Sequence, residues 1–381
     1  DEGTFDVGSD GLPIQQRTEV APIVITLPNG EMPAGGFPLA MYYHGSGGVA
    51  AQVVDRGRVA EEGGEPTKGE GPAHVLALHG LATVGSAHPV NPERLRNADD
   101  IAYLNFNNLR AFRDTFRQGI IEQRLYLDAL LELTIAPEVV ASCEGLSLPE
   151  GETSFRFSSG PVLATGQSMG GLYANLIGAT DPRIEAIVPT GAGGYWSYFI
   201  LETTLVGGST LVPIVLGSNP EITHLHPVLA LLELGWEAAE PMAYMPRLAQ
   251  RPLDGHPTRP VYEPVGLDDS FFPPQIFDAV ATAYGNQQAG PEVWPTMQAS
   301  LARIGMNGLI EYPVVDNLNA VNGMPYTGVV VQYEGDGIYD PHAIYAQLDA
   351  VKHQYGCFFE TFLETGSATV VAPAAIGSPC Q

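Results

Sequence analysis

From Val162 to Gly178 the chain reads V-L-A-T-G-Q-S-M-G-G-L-Y-A-N-L-I-G. An apolar, strand-like run enters the pentapeptide Gly166-Gln167-Ser168-Met169-Gly170, and a helix-compatible run leaves it. A serine on so tight a strand-to-helix turn is forced outward, and crowding requires small residues on both sides of it. The turn exposes the hydroxyl of Ser168 and aims the following helix N-terminus at the negative charge that forms during attack on a carbonyl. The chemistry is nucleophilic catalysis, which needs a base for the serine proton, an acid to orient the base, and donors for the oxyanion.

His44-Gly45-Ser46-Gly47-Gly48 follows an earlier apolar run, where a loop must lie to supply an oxyanion donor. The backbone N–H groups of Ser46 and Met169 are the expected pair, and His44 reads as a buried organiser of that loop. With a nucleophile elbow the partners come in the order serine, acid, histidine, which sets aside His44, His74, His79 and His88. Of the remainder, His224 and His226 lie in an apolar insertion, His256 in a Pro-rich loop and His353 inside a helical run. His342, after the last strand-like run, is the candidate base. The acid should leave the preceding strand, and Gly266-Leu267-Asp268-Asp269-Ser270-Phe271-Phe272-Pro273 offers Asp269 on a turn there, with Asp268 its immediate competitor. Asp336 and Asp340 compete less well, as turn-capping residues.

These residues need a parallel sheet behind them. Strands are expected over Val20 to Leu27, Phe37 to Tyr43, Leu81 to Ser86, Pro161 to Thr165, Ile184 to Thr190, Pro260 to Val265 and Gly328 to Tyr333. Helices are expected ending near His79, and over 105–133, Leu172 to Gly178, Pro274 to Tyr284 and about 343–355. The alternation predicts an α/β chain with a mostly parallel, doubly wound sheet flanked by helices. It stops over residues 195–259, an apolar and aromatic stretch read as a cap inserted into one domain spanning 1–381. There Trp196 and Phe199 are the expected substrate-binding side chains, lining a hydrophobic acyl pocket.

Together these features resemble the α/β-hydrolase superfamily from about Val20 to Tyr355. The G-Q-S-M-G elbow is similar to those of bacterial lipases and carboxylesterases, H-G-S-G-G looks like their oxyanion loop, and G-L-D-D-S-F-F-P looks like the turn carrying their acid. The resemblance implies a Ser168–Asp269–His342 triad, with Ser46 and Met169 as oxyanion donors. It implies a serine esterase or lipase acting on hydrophobic acyl, aryl or polyester substrates. An amidase or peptidase on the same fold, or a binding protein that has lost the chemistry, are the alternatives.

The remaining bounds are compositional. Apolar residues make up 45% and charged ones 16% of the 381 residues, which suits a large buried core. A net charge of −26, with Lys68 and Lys352 the only lysines, repels phosphate backbones and argues against nucleic acid. No apolar run of about 18 residues is present, so no transmembrane helix is expected. The chain begins at Asp1 with no charged-then-apolar leader, which fits a processed, secreted or periplasmic form. Cys357 and Cys380 are the cysteines nearest each other, and a bridge there would fasten the C-terminal tail; the alternative is three thiols, Cys143 included. His224-Leu225-His226, Asp99-Asp100 and the Asp336–Asp340 stretch lack the ligand spacing of a metal site, so no metal is expected. No G-x-G-x-x-G follows a strand, and no cofactor is expected.

Overall fold

The computed structural model describes residues 3–105, 108–203 and 223–381. Nine strands run through the central sheet: β1 (Ile23–Thr26), β2 (Phe37–Tyr43), β3 (Ala82–Ser86), β4 (Phe155–Gln167), β5 (Ile184–Thr190), β6 (Val261–Gly266), β7 (Gln287–Ala289), β8 (Leu309–Ile310) and β9 (Gly328–Tyr333). Their order is β1-β3-β2-β4-β5-β6-β9-β7-β8, with a short strand, Thr134–Ile135, paired to the start of β4. Only β1 is antiparallel to its neighbour on this path. That is the mostly parallel, doubly wound sheet of the α/β-hydrolase fold.

Side-chain alternation along the strands builds two cores, one on each face. Leu39, Met41 and Tyr43 of β2, with Val162 and Ala164 of β4, face α2 (Leu109–Glu132) and α3 (Met169–Thr180). Ala40, Tyr42, Leu163 and Val188 face the other way, towards α1 (Pro72–Leu78) and α8 (Asp349–Thr365). Strands buried on both faces read as continuous apolar runs, and for that reason they were visible in the sequence.

The crossover from β5 to β6 holds the stretch 195–259, which the sequence reads as an insertion. Its described part holds α4 (Trp196–Glu202), α5 (Pro227–Trp236) and α6 (Pro241–Leu248), before α7 (Pro274–Tyr284) follows β6. Residues 204–222 of the expected cap lie outside the described residues. Buried Arg259 pins the returning chain: its guanidinium donates to the carbonyls of Ile184 at 2.6 Å, Pro257 at 3.0 Å and Asp181 at 3.1 Å. β5 and β6 themselves share one register pair, Ile187 with Val261. Cys357 in α8 and Cys380 in the tail form a disulfide, and Cys143 is free and exposed.

One buried group opposes the fold. Glu263 of β6 is 0% exposed, and neither carboxylate oxygen has a hydrogen-bond partner among the described residues. Burial pushes its carboxyl well above the usual range, so it folds as the neutral acid. A raised folded pKa gives stability that is complete below the unfolded value near ~4.3 and is withdrawn as pH climbs towards the folded one. Glu263→Gln should therefore gain stability over the wild type as pH rises above about 5, read as urea midpoints. Parallel curves for the two proteins would show that Glu263 is not the group responsible.

Candidate active site

Ser168 joins β4 to α3 with φ 59° and ψ −125°, a conformation costly for a residue bearing a Cβ. It is held by its own backbone: its N–H donates to Thr190 O at 3.0 Å, and its carbonyl accepts from Leu172 N at 3.1 Å. The flanking glycines are steric necessities. A Cβ on Gly166 would lie 2.3 Å from Gly170 O, and one on Gly170 would lie 1.9 Å from Tyr43 O at the end of β2. The side chain does not cap the helix, so the hydroxyl remains available.

Asp269 and His342 meet beside this turn. The Oδ2 atom of Asp269 lies 2.8 Å from His342 Nδ1, with Asp269 6% and His342 4% exposed. Oδ1 accepts the N–H groups of Phe271 at 2.8 Å and Phe272 at 2.9 Å, which fixes the orientation of the carboxylate. With Nδ1 engaged, Nε2 is the nitrogen that can take a serine proton. The His342 carbonyl accepts from Gln167 Nε2 at 3.2 Å, which ties the imidazole loop to the residue before Ser168. Ser168 and His342 are not hydrogen-bonded to each other in this structure; such contacts often tighten only around a bound substrate.

Two of the competitors, Asp336 and Asp340, have other partners. Asp340 caps the turn carrying His342, accepting its N–H at 2.8 Å, and also takes the N–H of Ser270 at 3.3 Å and the Ser270 hydroxyl. It thus caps the turn, as the sequence leads one to expect, and also clamps the acid turn to the histidine turn. Asp336 accepts from Ile338 N at 3.0 Å and from Gln347 Nε2 at 2.7 Å. Asp268 takes a left-handed φ of 63° and makes no hydrogen bond among the described residues.

His44 is an organiser. Its Nε2 lies 3.1 Å from His88 N and 3.2 Å from Asn91 Nδ2, so Nε2 accepts and Nδ1–H donates to Gly45 O at 2.8 Å. Burial lowers its pKa to about 4, which keeps it neutral. Asn91 also donates to Gly48 O at 3.1 Å, a tie to the loop that no sequence signal marked. Ser46 donates its hydroxyl to Tyr103 at 2.9 Å. Among the described residues the backbone N–H groups of Ser46 and Met169 donate to nothing, and a Cβ on Gly45 would come within 3.2 Å of Ser168 Cβ.

The two aromatic residues expected to bind substrate sit at different depths. Trp196 is 1% exposed, donates Nε1–H to Ala239 O at 2.9 Å and meets Phe112 edge-on at 4.8 Å, inside the core. Phe199 packs on Phe272 at 5.2 Å, and Phe272 lies 5.6 Å from His342, whose ring stacks on Phe271 at 4.1 Å. Their helix is anchored by two carboxylates: Glu240 accepts from Tyr195 N and Trp196 N at 2.9 and 3.0 Å, and Glu233 accepts from Ser197 N at 2.7 Å. Burial, and then Glu233 beside it, push Glu240 up to about 8. His224 packs against Tyr195 and Tyr198, and His226 caps α5.

No protein-family model matches the chain, and no curated protein matches it by sequence. Solved structures of similar course include the 2,6-dihydroxy-pseudo-oxynicotine hydrolase, at 16% identity and a TM-score of 0.44 over 98% of this chain and 71% of that one. The Pyrococcus horikoshii acylaminoacyl peptidase gives 12% and 0.43 over 94% of this chain, which spans 40% of the peptidase. An acetyl xylan esterase from Paenibacillus sp. R4 gives 17% and 0.41, over 78% and 80% of the two chains. The functional reading rests on the site itself.

Asp269→Asn should lower turnover by about 10⁴ through the wrong imidazole tautomer, whereas Asp268→Asn should cost less than about tenfold. Steady-state kinetics on a chromogenic ester distinguishes them, and a larger loss at Asp268 would move the acid by one residue.

Proposed function

We propose that this protein is a serine hydrolase that cleaves carboxylic esters through an acyl-enzyme on Ser168. The observation that carries the reading is the buried 2.8 Å contact of Asp269 with His342 Nδ1, set beside a serine at φ 59° on a strand-to-helix turn. His342 Nε2 takes the Ser168 proton as Oγ attacks the ester carbonyl, and Asp269 stabilises the imidazolium. The N–H groups of Ser46 and Met169 receive the oxyanion. Collapse expels the alcohol with a proton from His342; water, activated by the same imidazole, then releases the acid.

Hydrophobic acyl, aryl or polyester substrates suit the aromatic wall of Phe199, Phe271 and Phe272, with Trp196 backing it from the core. Residues 195–203 and 223–259, the described part of the expected cap, cover that pocket. The Cys357–Cys380 disulfide favours a secreted or periplasmic setting, and the −26 charge disfavours nucleic acid as a partner.

Ser168→Ala should keep the far-UV spectrum and lower ester hydrolysis by at least ~10³. A fluorophosphonate probe should label the wild type at the peptide containing Ser168; a fully active alanine variant would end the reading. Activity on p-nitrophenyl esters without cleavage of the matching anilides separates an esterase from an amidase.

If the cap covers an acyl pocket, kcat/KM should rise from acetyl esters by up to about 0.8 kcal/mol per CH₂ until the pocket ends. Phe199→Ala should flatten that profile more than it lowers acetyl ester activity. A uniform loss across chain lengths would place Phe199 in the core alone.

A further inference from the structure

The histidines around the disulfide have no part in the proposed hydrolysis. Cys357 is fully buried in α8, and His353 lies one turn earlier on the same helix face, with Nδ1 3.6 Å and Nε2 3.8 Å from its Sγ. Cys380 comes from the tail and places its Sγ 3.9 Å from Nδ1 of His79, just beyond α1. One donor atom from each of His79, Cys357 and Cys380 falls within 4.8 Å of the others. The His79 side chain is 4% exposed, its Nδ1 is held by Glu360, and its Nε2 has no partner among the described residues. Room for the ring depends on Gly356, where a Cβ would lie 2.2 Å from Nε2.

We propose that these groups form a metal site exclusive with the disulfide: when Cys357 and Cys380 are reduced, their thiolates bind one Zn²⁺ together with His79 and His353. Tetrahedral Zn²⁺ with bonds of about 2.3 Å to sulfur and about 2.0 Å to nitrogen sets its donor atoms roughly 3.3–3.8 Å apart. The Cys357–His353 separations of 3.6 and 3.8 Å already sit close to that spacing; His79, whose Nδ1 stays on Glu360, would ligate through Nε2, and the bonded sulfurs have to part. Cys380, in the tail, can make that movement. Glu360 supplies the outer carboxylate that commonly orients a ligating imidazole, and a two-thiolate, two-imidazole set selects Zn²⁺ over Mg²⁺ or Ca²⁺.

The step balances without redox change at the metal. A phosphine or dithiol reductant contributes two electrons to the S–S bond and is itself oxidised; the sulfurs take up two protons, which Zn²⁺ binding then returns to solvent. Among the described residues none of the four ligands is hydrogen-bonded to Ser168, Asp269 or His342, so this site stands or falls apart from the proposed hydrolysis.

The test uses the full chain carrying Cys143→Ser. After reduction by a phosphine, thiol titration should show both sulfurs free, and Co²⁺ should bind once per chain. The expected signature is a sulfur-to-cobalt charge-transfer band with intense visible absorption from tetrahedral cobalt, bleached by Zn²⁺. The oxidised protein should give none of this, and His79→Ala and His353→Ala should each weaken binding by at least ~10-fold. Should reduction alone lower the far-UV circular dichroism, Zn²⁺ must restore it. Absence of the cobalt bands in reduced, folded protein, identical bands in the oxidised protein, or failure of Zn²⁺ to refold a chain unfolded by reduction would each overturn the site.

Discussion

Tyr43 O, at the end of β2, lies where a Cβ on Gly170 would be, and the architecture of the site follows from that contact. The first turn of α3 can approach β2 so closely only because Gly170 lacks a side chain. That approach sets the His44–Gly48 loop, which continues from β2, against the serine turn, which ends β4. A side chain at Gly166 would push β4 and α3 apart, one at Gly170 would push α3 from β2, and either would remove the packing that holds Ser168 at its positive φ. The strain is sustained because both neighbours are sheet and helix rather than loop.

The second fixed relation lies between the acid and histidine turns. Asp269 reaches the imidazole, while Asp340 binds the backbone N–H of His342 and two groups of Ser270. Two carboxylates thus brace the same pair of turns, one through the ring and one through the backbone. The ring is further sandwiched by Phe271, which limits its rotation. Precision at the site therefore comes from the ends of β6 and β9, adjacent strands in register over six residue pairs.

Much of this was legible in the sequence because buried parallel strands and tight turns leave local signatures. β2, β5, β9 and α7 fall where apolar runs and Pro or Gly stops put them. β4 starts at Phe155 rather than Pro161, because Ser158-Ser159-Gly160 reads as a turn while the structure keeps it in an irregular strand. His342 sits in a short 3₁₀ turn, not a plain loop, and α8 begins at Asp349 and runs on to Thr365. The departures at His342 and α8 arise from contacts with distant parts of the chain: Asp340 with Ser270, Gln354 with Val371, and the disulfide to the tail. Asn91 was invisible for the same reason, since its value lies in a carbonyl and an imidazole more than forty residues away.

The return of the insertion at Arg259 has a consequence for how such a chain can diversify. A crossover between parallel strands must only deliver the chain from the end of β5 back to the start of β6, and Arg259 secures that arrival through three carbonyls, two of them lying outside the insertion. The landing point is consequently indifferent to the route taken. Loop-closure entropy rises slowly with length, so residues could be added in the exposed stretch 253–255, between α6 and Arg259, at small thermodynamic penalty while the strand order and the turns carrying Ser168, Asp269 and His342 stay where they are. The crossover can in this way change in length and sequence without disturbing the strand ends that hold Ser168, Asp269 and His342.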